Sequence, residues 1–252
     1  MARLDDLRHP ETDHSWMWSL SSQQGIILED RDEFVEAVRV RLGAGGPPVS
    51  TLCTSCGQRT LDRAGAHASC CAPGESTRGH NAVRDVLFEF ALHADPSAEK
   101  EPEFLIPSRP RDRPADVLTS AVPGCVAALD VGVASPAAAA AGDDATKSMR
   151  IRKIGEREPV QQELEQAGIV YKPFVFTTFG RPDAAACDIL KSIVKRGARR
   201  KGWSAVAFDR KFRASLGTVL ARRMARMSLS TWVQTQDDGV ITIPDSFGDD
   251  IG

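Results

Sequence analysis

Apolar side chains recur at helical spacing over several stretches of the chain. From Asn81 to Ala94 they repeat every three or four positions, which predicts an amphipathic helix with a polar opposite face. A four-residue repeat predicts another helix from Asp30 to Leu42, and the Gly- and Pro-rich residues 43–48 end it. Further helices are predicted at residues 161–166, 183–200 and 208–227.

Strand-like patterns lie between these helices. They predict strands at residues 103–106, 115–119, 126–133 and 169–179. Residues 135–144 are rich in Ala and are interpreted as a disordered linker. The order helix, strands, helix, strand, helices predicts an α/β or α+β fold, with a small mixed sheet flanked by helices.

Charge is distributed unevenly although the net charge is only −2. Residues 191–226 contain twelve Lys or Arg and one acid, whereas residues 236–252 contain five Asp and no base. A basic segment of this kind is typical of a surface that binds phosphates, and solvated helix faces are the alternative. The strongest candidates for contact with nucleic acid are Lys195, Arg196, Arg199, Arg200 and Lys201.

No run of about 20 apolar residues predicts a membrane span, and the charged start of the chain does not resemble a secretion signal. We therefore expect no membrane partner and an intracellular location, nuclear or cytoplasmic. In such a reducing compartment, clustered cysteines favour a metal over a disulfide.

Four potential metal ligands have the spacing C-x2-C-x10-H-x3-C, at Cys53, Cys56, His67 and Cys71. Two such pairs can close a tetrahedral site around Zn²⁺, and a site with four protein ligands is structural rather than catalytic. Few large apolar residues surround them, so zinc would replace a missing core. Small cysteines buried around an ordinary loop are the alternative, and Cys70 is a spare ligand.

Two aspartates stand in strand-like surroundings. Asp116 follows Arg113-Pro114-Ala115, and thirteen residues separate it from Asp130. Asp130 interrupts an apolar strand, where a lone carboxylate is costly unless it is paired or bound to metal. On adjacent strands of a hairpin the two carboxylates would converge, and paired carboxylates suit Mg²⁺. Alternatively, Asp116 merely begins a strand and Asp130 pairs with an arginine.

The run from about residue 33 to residue 180 resembles the C-terminal region of non-LTR retrotransposon proteins. That region carries a zinc motif and a restriction-enzyme-like endonuclease of the PD-(D/E)XK superfamily. The matching pieces, in order, are EFVEAVRVRLG (33–43), CTSC (53–56), LDRAGAHASCC (61–71), RGHNAVRD (78–85), RPADVL (113–118), AALDVGVASP (127–136) and GIVYKPFVFTTFG (168–180).

The resemblance implies an N-terminal helical cap at 1–50, a zinc-knuckle-like segment at 51–80 and a restriction-endonuclease-like domain with basic C-terminal helices at 81–227. An acidic tail would follow at 228–252. Asp116 and Asp130 take the places of the two metal-binding acids of the superfamily. The superfamily lysine, two residues after the second acid, falls on Gly132.

In the retrotransposon branch the basic residue lies further downstream. Lys147, Arg150 and Lys153 are the candidates, with Lys153 favoured, and the neighbouring Tyr of the family is replaced by Ile154. Three more side chains could serve the site, each with an ordinary structural alternative. They are Glu89 on the polar face of its helix, Glu103 at a strand edge and His80 as a ligand or helix cap.

These observations predict a Mg²⁺-dependent endonuclease that nicks DNA, with structural Zn²⁺. The resemblance implies that such a nick primes reverse transcription in an intact element. A zinc-stabilised module that binds DNA or RNA, and a catalytically inactive remnant of an element, are the alternatives. The oligomeric state stays open.

Overall fold

A computed structural model places eight α-helices around a four-stranded sheet in the residues that it describes, which are 2–17, 30–45, 47 and 51–232. The helices are α1 (Ala2–Arg8), α2 (Arg31–Leu42), α3 (Ala68–Cys71), α4 (Pro73–Ala94), α5 (Ala145–Arg157), α6 (Gln161–Gln166), α7 (Ala184–Lys201) and α8 (Ala205–Trp232). The strands are β1 (Glu99–Lys100), β2 (Val117–Thr119), β3 (Val126–Ala134) and β4 (Ile169–Thr177). The mixed α/β class with a small mixed sheet is therefore confirmed.

The sheet has the strand order β1-β2-β3-β4. The first three strands are antiparallel, and Val117 of β2 lies opposite Leu129 of β3. Strands β3 and β4 are parallel, and α5 and α6 form the connection that parallel strands require. Strands β3 and β4 form the longest strand pair of the sheet, and β4 lies at one edge.

Successive residues of β3 point to opposite faces of the sheet. Leu129 and Val131 are fully buried in the main core, together with apolar residues of α4, α7 and α8. Ala128 belongs instead to a smaller core with residues around α6. Asp130 shares the face of Ala128 because side chains alternate along a strand. The carboxylate therefore points to the face of the sheet on which α5 and α6 connect β3 to β4.

Asp side chains cap the helices that surround this region. Asp144 accepts hydrogen bonds from the backbone N–H groups of Thr146 and Lys147 at the start of α5. Asp183 does the same for Ala186 at the start of α7. Such caps satisfy backbone donors that the first helical turn leaves unpaired.

Two predicted elements of the sequence are wrong. Residues 103–106 form no strand, because Glu101 and Phe104 have positive φ angles of 49° and 64° that break an extended backbone. Residues 135–144 are ordered rather than a disordered linker, and Ala141 is buried in a cluster against α5.

The boundaries of the predicted domains also shift. Helix α4 begins at Pro73, whose ring suits a first helical turn, so the boundary placed after residue 80 falls inside a helix. Helix α8 extends to Trp232, five residues into the predicted acidic tail. The rest of that tail, and Trp18, lie outside the described residues. Among the described helices, none combines the length and the apolarity of a membrane span.

Candidate functional site

The four predicted zinc ligands come together at the start of the Cys- and His-rich segment. One ligand atom from each of Cys53, Cys56, His67 and Cys71 lies within 4.8 Å of all the others. The Sγ atoms of Cys53 and Cys71 are 3.7 Å apart, and Cys56 Sγ is 3.5 Å from His67 Nε2. A tetrahedron with zinc–ligand distances of 2.0–2.3 Å has edges of about 3.4–3.8 Å. The cluster could therefore hold a metal such as zinc.

Local hydrogen bonds prepare this cluster for a cation. The backbone N–H groups of Gln58 and Arg59 hydrogen-bond the sulfur of Cys56, and they lower its pKa to about 6. Burial raises the pKa of Cys71 to about 12, and the neighbouring cysteines add to that shift. Since a thiolate is the form that binds metal, a cation is the partner that would let both sulfurs ionise together.

The end of α8 packs against residues 53–71, the segment that carries the four candidate metal ligands and is called the metal-binding segment below. Leu229 and Trp232 pack against Cys53 and Leu61 in one buried cluster. The backbone N–H of Thr54 also donates to the carbonyl of the helix residue 231, at 2.8 Å. The segment has little core of its own, so packing against the last turn of α8 stabilises it.

The two predicted metal-binding aspartates lie next to each other across β2 and β3. Asp116 directly precedes Val117, which pairs with Leu129, the residue before Asp130. The backbone N–H of Asp116 donates to the carbonyl of Leu129 at 2.9 Å, one residue out of step with that register. Lys153 is paired with Asp130, and its charge also acts on Asp116, so both carboxylates lie near the same cation. Each carboxylate side chain is only 13% exposed.

Hydrogen bonds hold Asp116 in its charged form. His80 Nε2, from the second turn of α4, lies 3.1 Å from one carboxylate oxygen. The backbone N–H of Val131 donates to the other oxygen at 2.7 Å. Burial opposes ionisation, but the hydrogen bond and charge of His80 prevail and lower the pKa of Asp116, with a smaller contribution from Lys153.

Lys153 and Tyr171 hold the carboxylate of Asp130. Lys153 Nζ reaches from α5 to 2.9 Å from one oxygen, and the lysine side chain is 14% exposed. The hydroxyl of Tyr171, on β4, donates to the other oxygen. Burial and the charge of Asp130 raise the pKa of Tyr171, so the phenol stays a donor. The cation next to Asp130 is thus a lysine and not the arginine of the alternative interpretation.

Gly132 makes room for this lysine. A Cβ atom at position 132 would lie 2.9 Å from Lys153 Cε and 2.7 Å from Met149 Sδ. Both distances are shorter than real Cβ contacts, so a side chain here would push Lys153 aside. A side chain at position 132 and the side chain of Lys153 would therefore occupy the same space.

Three other predicted site residues form no contact with the aspartates among the described interactions. Glu89 is exposed and lies nine residues beyond His80, about 14 Å further along α4. Lys147 is exposed at the start of α5, where its backbone N–H is capped. Glu103 pairs instead with Arg113, at 2.5 Å.

The predicted nucleic-acid ligands form one exposed face of α7 and its end, comprising Lys195, Arg196, Arg199, Arg200 and Lys201. Arg196 donates to the carbonyl of Ser120. None of the five forms an ion pair with a carboxylate of the described residues. The positive charge of this face is therefore not neutralised by carboxylates of the described residues.

Sequence patterns leave the partners of the aspartates undefined. The sequence allows His80 two roles, a helix cap or a ligand, and predicts Tyr171 only as part of a strand. No local signal could identify either, because each meets its aspartate only after α4 and β4 have packed. Comparison of the chain with protein-family models, curated proteins and solved structures finds no match.

Proposed function

We propose that this chain is the endonuclease region of a retrotransposon-type protein, which nicks DNA with Mg²⁺ at Asp116 and Asp130. The observation that carries the proposal is the cross-strand pair of half-buried carboxylates with Lys153 against one of them. The resemblance of the sequence supplies the class of reaction. Zinc at the Cys53 cluster has a structural role in this proposal.

The residues at the site fit a magnesium ion. Two carboxylates on one face offer hard oxygen ligands, and Mg²⁺ binds through one or two carboxylates together with water and phosphate oxygens. When bound there, the ion would activate a water and neutralise charge on the scissile phosphate.

The surrounding side chains have separate tasks. His80 keeps Asp116 ionised and fixes its rotamer through the hydrogen bond at 3.1 Å. Tyr171 orients Asp130 by donating a hydrogen bond, and it adds no negative charge to the site because it remains protonated. Lys153 would donate to an oxygen of the scissile phosphate while it stays next to Asp130. Such fixed charges stabilise the transition state of phosphate cleavage.

A plasmid-nicking experiment tests the proposal. Supercoiled plasmid is incubated with the purified protein in Mg²⁺ or in EDTA, and open-circle product is measured. We expect Mg²⁺-dependent nicking that the double variant Asp116→Asn, Asp130→Asn abolishes. Asp85→Asn, Asp188→Asn is the matched control, because it also removes two carboxylate charges, from exposed parts of α4 and α7. Equal nicking by the double variant would refute the carboxylate pair as the site.

A second candidate function is a zinc-stabilised module that binds DNA or RNA without cutting. The exposed basic face of α7 favours it, since phosphate contacts alone give sequence-independent affinity. In this case the protein and its Asp116→Asn, Asp130→Asn variant would retain labelled DNA equally in a gel-shift experiment. Neither would nick plasmid in Mg²⁺.

A further inference from the structure

The loop between β1 and β2 is ordered around an exposed aromatic ring. Phe104 is 72% exposed. It is also one of two non-glycine residues with a positive φ in the described part of the chain. A bulky residue adopts this backbone conformation at a cost, which is tolerated only where the surroundings impose it. Exposing the ring adds a second cost, because water disfavours apolar surface.

Many interactions hold the loop in this shape. The backbone N–H of Phe104 donates to the carbonyl of Pro110 at 2.9 Å. Arg113 closes the loop through an ion pair with Glu103, and Ser108 is bound to Glu163 of α6 by its backbone N–H at 2.9 Å. Fully buried Ile106 anchors the middle of the loop in the core beside α6. Phe104 is therefore presented rigidly, at little further entropic cost on binding.

The loop also lies next to the carboxylate pair. The backbone N–H of Glu101 donates to the carbonyl of Asp116 at 2.8 Å. Phe104 is three residues beyond Glu101, so its Cα lies within about 11 Å of that residue. Phe104 is thus within reach of a nucleic-acid strand that passes Asp116.

Positive charge lies on the same loop as the ring. Arg109 and Arg111 are exposed, and they are the two neighbours of Pro110, whose carbonyl accepts the hydrogen bond from Phe104. Arg111 has no hydrogen bond or ion pair with the described residues, and Arg109 lies near Glu163. Phosphates are the groups that such arginines bind, and a flat apolar ring between cations is the usual platform for a base of a single strand.

We propose that Phe104 stacks on an unpaired nucleobase of the DNA strand next to the phosphate that is cut, while Arg109 and Arg111 bind the phosphates on either side. This proposal rests on the proposed function for the identity of the ligand. Stacking would hold the strand in register at Asp116 and Asp130. Because every base has an aromatic face, the contact would tolerate any sequence.

Binding to two oligonucleotides, without Mg²⁺, tests the stacking. One is a single strand of 20 thymidines, and the other has the same backbone but no bases, so its affinity depends on phosphates alone. We expect Phe104→Ala to weaken binding of the thymidine strand by about 5- to 100-fold, in line with the loss of one stacked base. Binding of the abasic strand should not change, and Phe104→Trp should keep the affinity for both.

Two control variants complete the experiment. Leu42→Ala removes another exposed apolar side chain, 74% exposed at the end of α2, and should alter neither affinity. Arg111→Ala should weaken both strands equally. An equal effect of Phe104→Ala on both strands, no effect on either, or no binding of the thymidine strand by the wild type would overturn the proposal. Base-dependent binding without plasmid nicking in Mg²⁺ would retain the stacking and reject the nuclease.

Discussion

At the scale of single residues, the absence of a side chain at position 132 shapes the candidate catalytic site. Gly132 lies two residues after Asp130 on the same face of β3, where a side chain would fill the space that Lys153 occupies. A strand lysine and a helix lysine exclude each other here. The glycine is therefore part of the arrangement that lets α5 deliver a cation to the aspartate.

Gly132→Ala is predicted to reduce Mg²⁺-dependent nicking by about 100-fold, because displacing a positioned group by about 1 Å has effects of that size. Overpacking at this place should also lower the free energy of unfolding by about 1–3 kcal/mol. Nicking rate and urea unfolding measure the two effects.

Gly155→Ala is the matched control for this change. Gly155 lies on the same helix as Lys153 and nothing is within 4 Å of an added Cβ. The alanine should stabilise the helix by roughly 0.5–1 kcal/mol and leave nicking unchanged. Wild-type nicking by Gly132→Ala would show that the position of Lys153 does not matter.

A second residue-scale prediction concerns pH and Glu36 of α2. Its side chain is 1% exposed, and burial raises its pKa to about 7, despite the hydrogen bond from Ser228 and the charge of Arg39. The folded state therefore binds a proton more tightly than the unfolded state. Stability should fall as pH rises from 4.5 to 7, by roughly 2–3 kcal/mol, because ionisation is less costly in the unfolded chain.

Glu36→Gln should remove this pH dependence, since an amide does not ionise. The variant should match the wild type near pH 4.5 and exceed its stability at pH 8, as measured by urea unfolding at both values. Glu99→Gln changes an exposed glutamate and should leave the wild-type pH profile intact. A Glu36→Gln protein that loses stability with pH as the wild type does would contradict the assignment.

At the scale of elements, the sequence predicts what local pattern controls and misses what packing decides. The alternation along β3 places Asp130 on the correct face because strand periodicity is local. Helix α5 is missed because its sequence is mostly polar, and Met149, Ile151 and Ile154 are too few to give a clear apolar repeat. The loop at 103–106 resembles a strand in hydropathy, but its positive φ angles arise from contacts with distant residues.

The candidate site follows the same division. Asp116 and Asp130 could be found from their strands, and the cysteine cluster from its spacing. His80 and Tyr171 could not be assigned as partners, because the packing of α4 and β4 against β2 and β3 brings them to the carboxylates. Spacing along one element predicts which face a residue occupies, whereas contacts between elements depend on the whole core.

The stability of the metal-binding segment and that of the end of α8 should depend on each other, because the two pack in one buried cluster. Removing the metal with a chelator is predicted to lower the unfolding temperature by roughly 10 °C, because binding energy at a structural site is folding energy. Cys71→Ser should show the same loss and bind much less than one zinc per chain by elemental analysis. Cys70→Ser, the neighbouring exposed cysteine outside the ligand set, should keep both zinc and stability.

Equal zinc content in the Cys70→Ser and Cys71→Ser proteins would contradict the assigned ligand set. A chelator that leaves the unfolding temperature unchanged would show that Leu229 and Trp232 hold the segment without metal.

At the scale of the whole molecule, the net charge is only −2, although α7 carries a basic surface. Lys195, Arg196, Arg199, Arg200 and Lys201 form no ion pair with carboxylates of the described residues, whereas other cations are paired, such as Lys191 with Asp188 and Arg84 with Glu101. Unpaired cations repel one another and attract polyanions. The uneven charge distribution therefore makes this face the place to test the proposed binding of nucleic acid.

Salt dependence distinguishes phosphate binding from an ordinary solvated surface. Each phosphate contact on a duplex contributes about −0.9 to the slope of log K against log salt concentration. The double variant Arg199→Gln, Arg200→Gln should therefore weaken duplex binding at low salt and make the slope less steep by about 1.8, as measured by fluorescence anisotropy. Arg8→Gln, Arg31→Gln removes two exposed charges from α1 and α2 and should leave the slope unchanged. Equal slopes for both double variants would mean that the α7 face is only solvated, and the DNA would then have to bind elsewhere on the molecule.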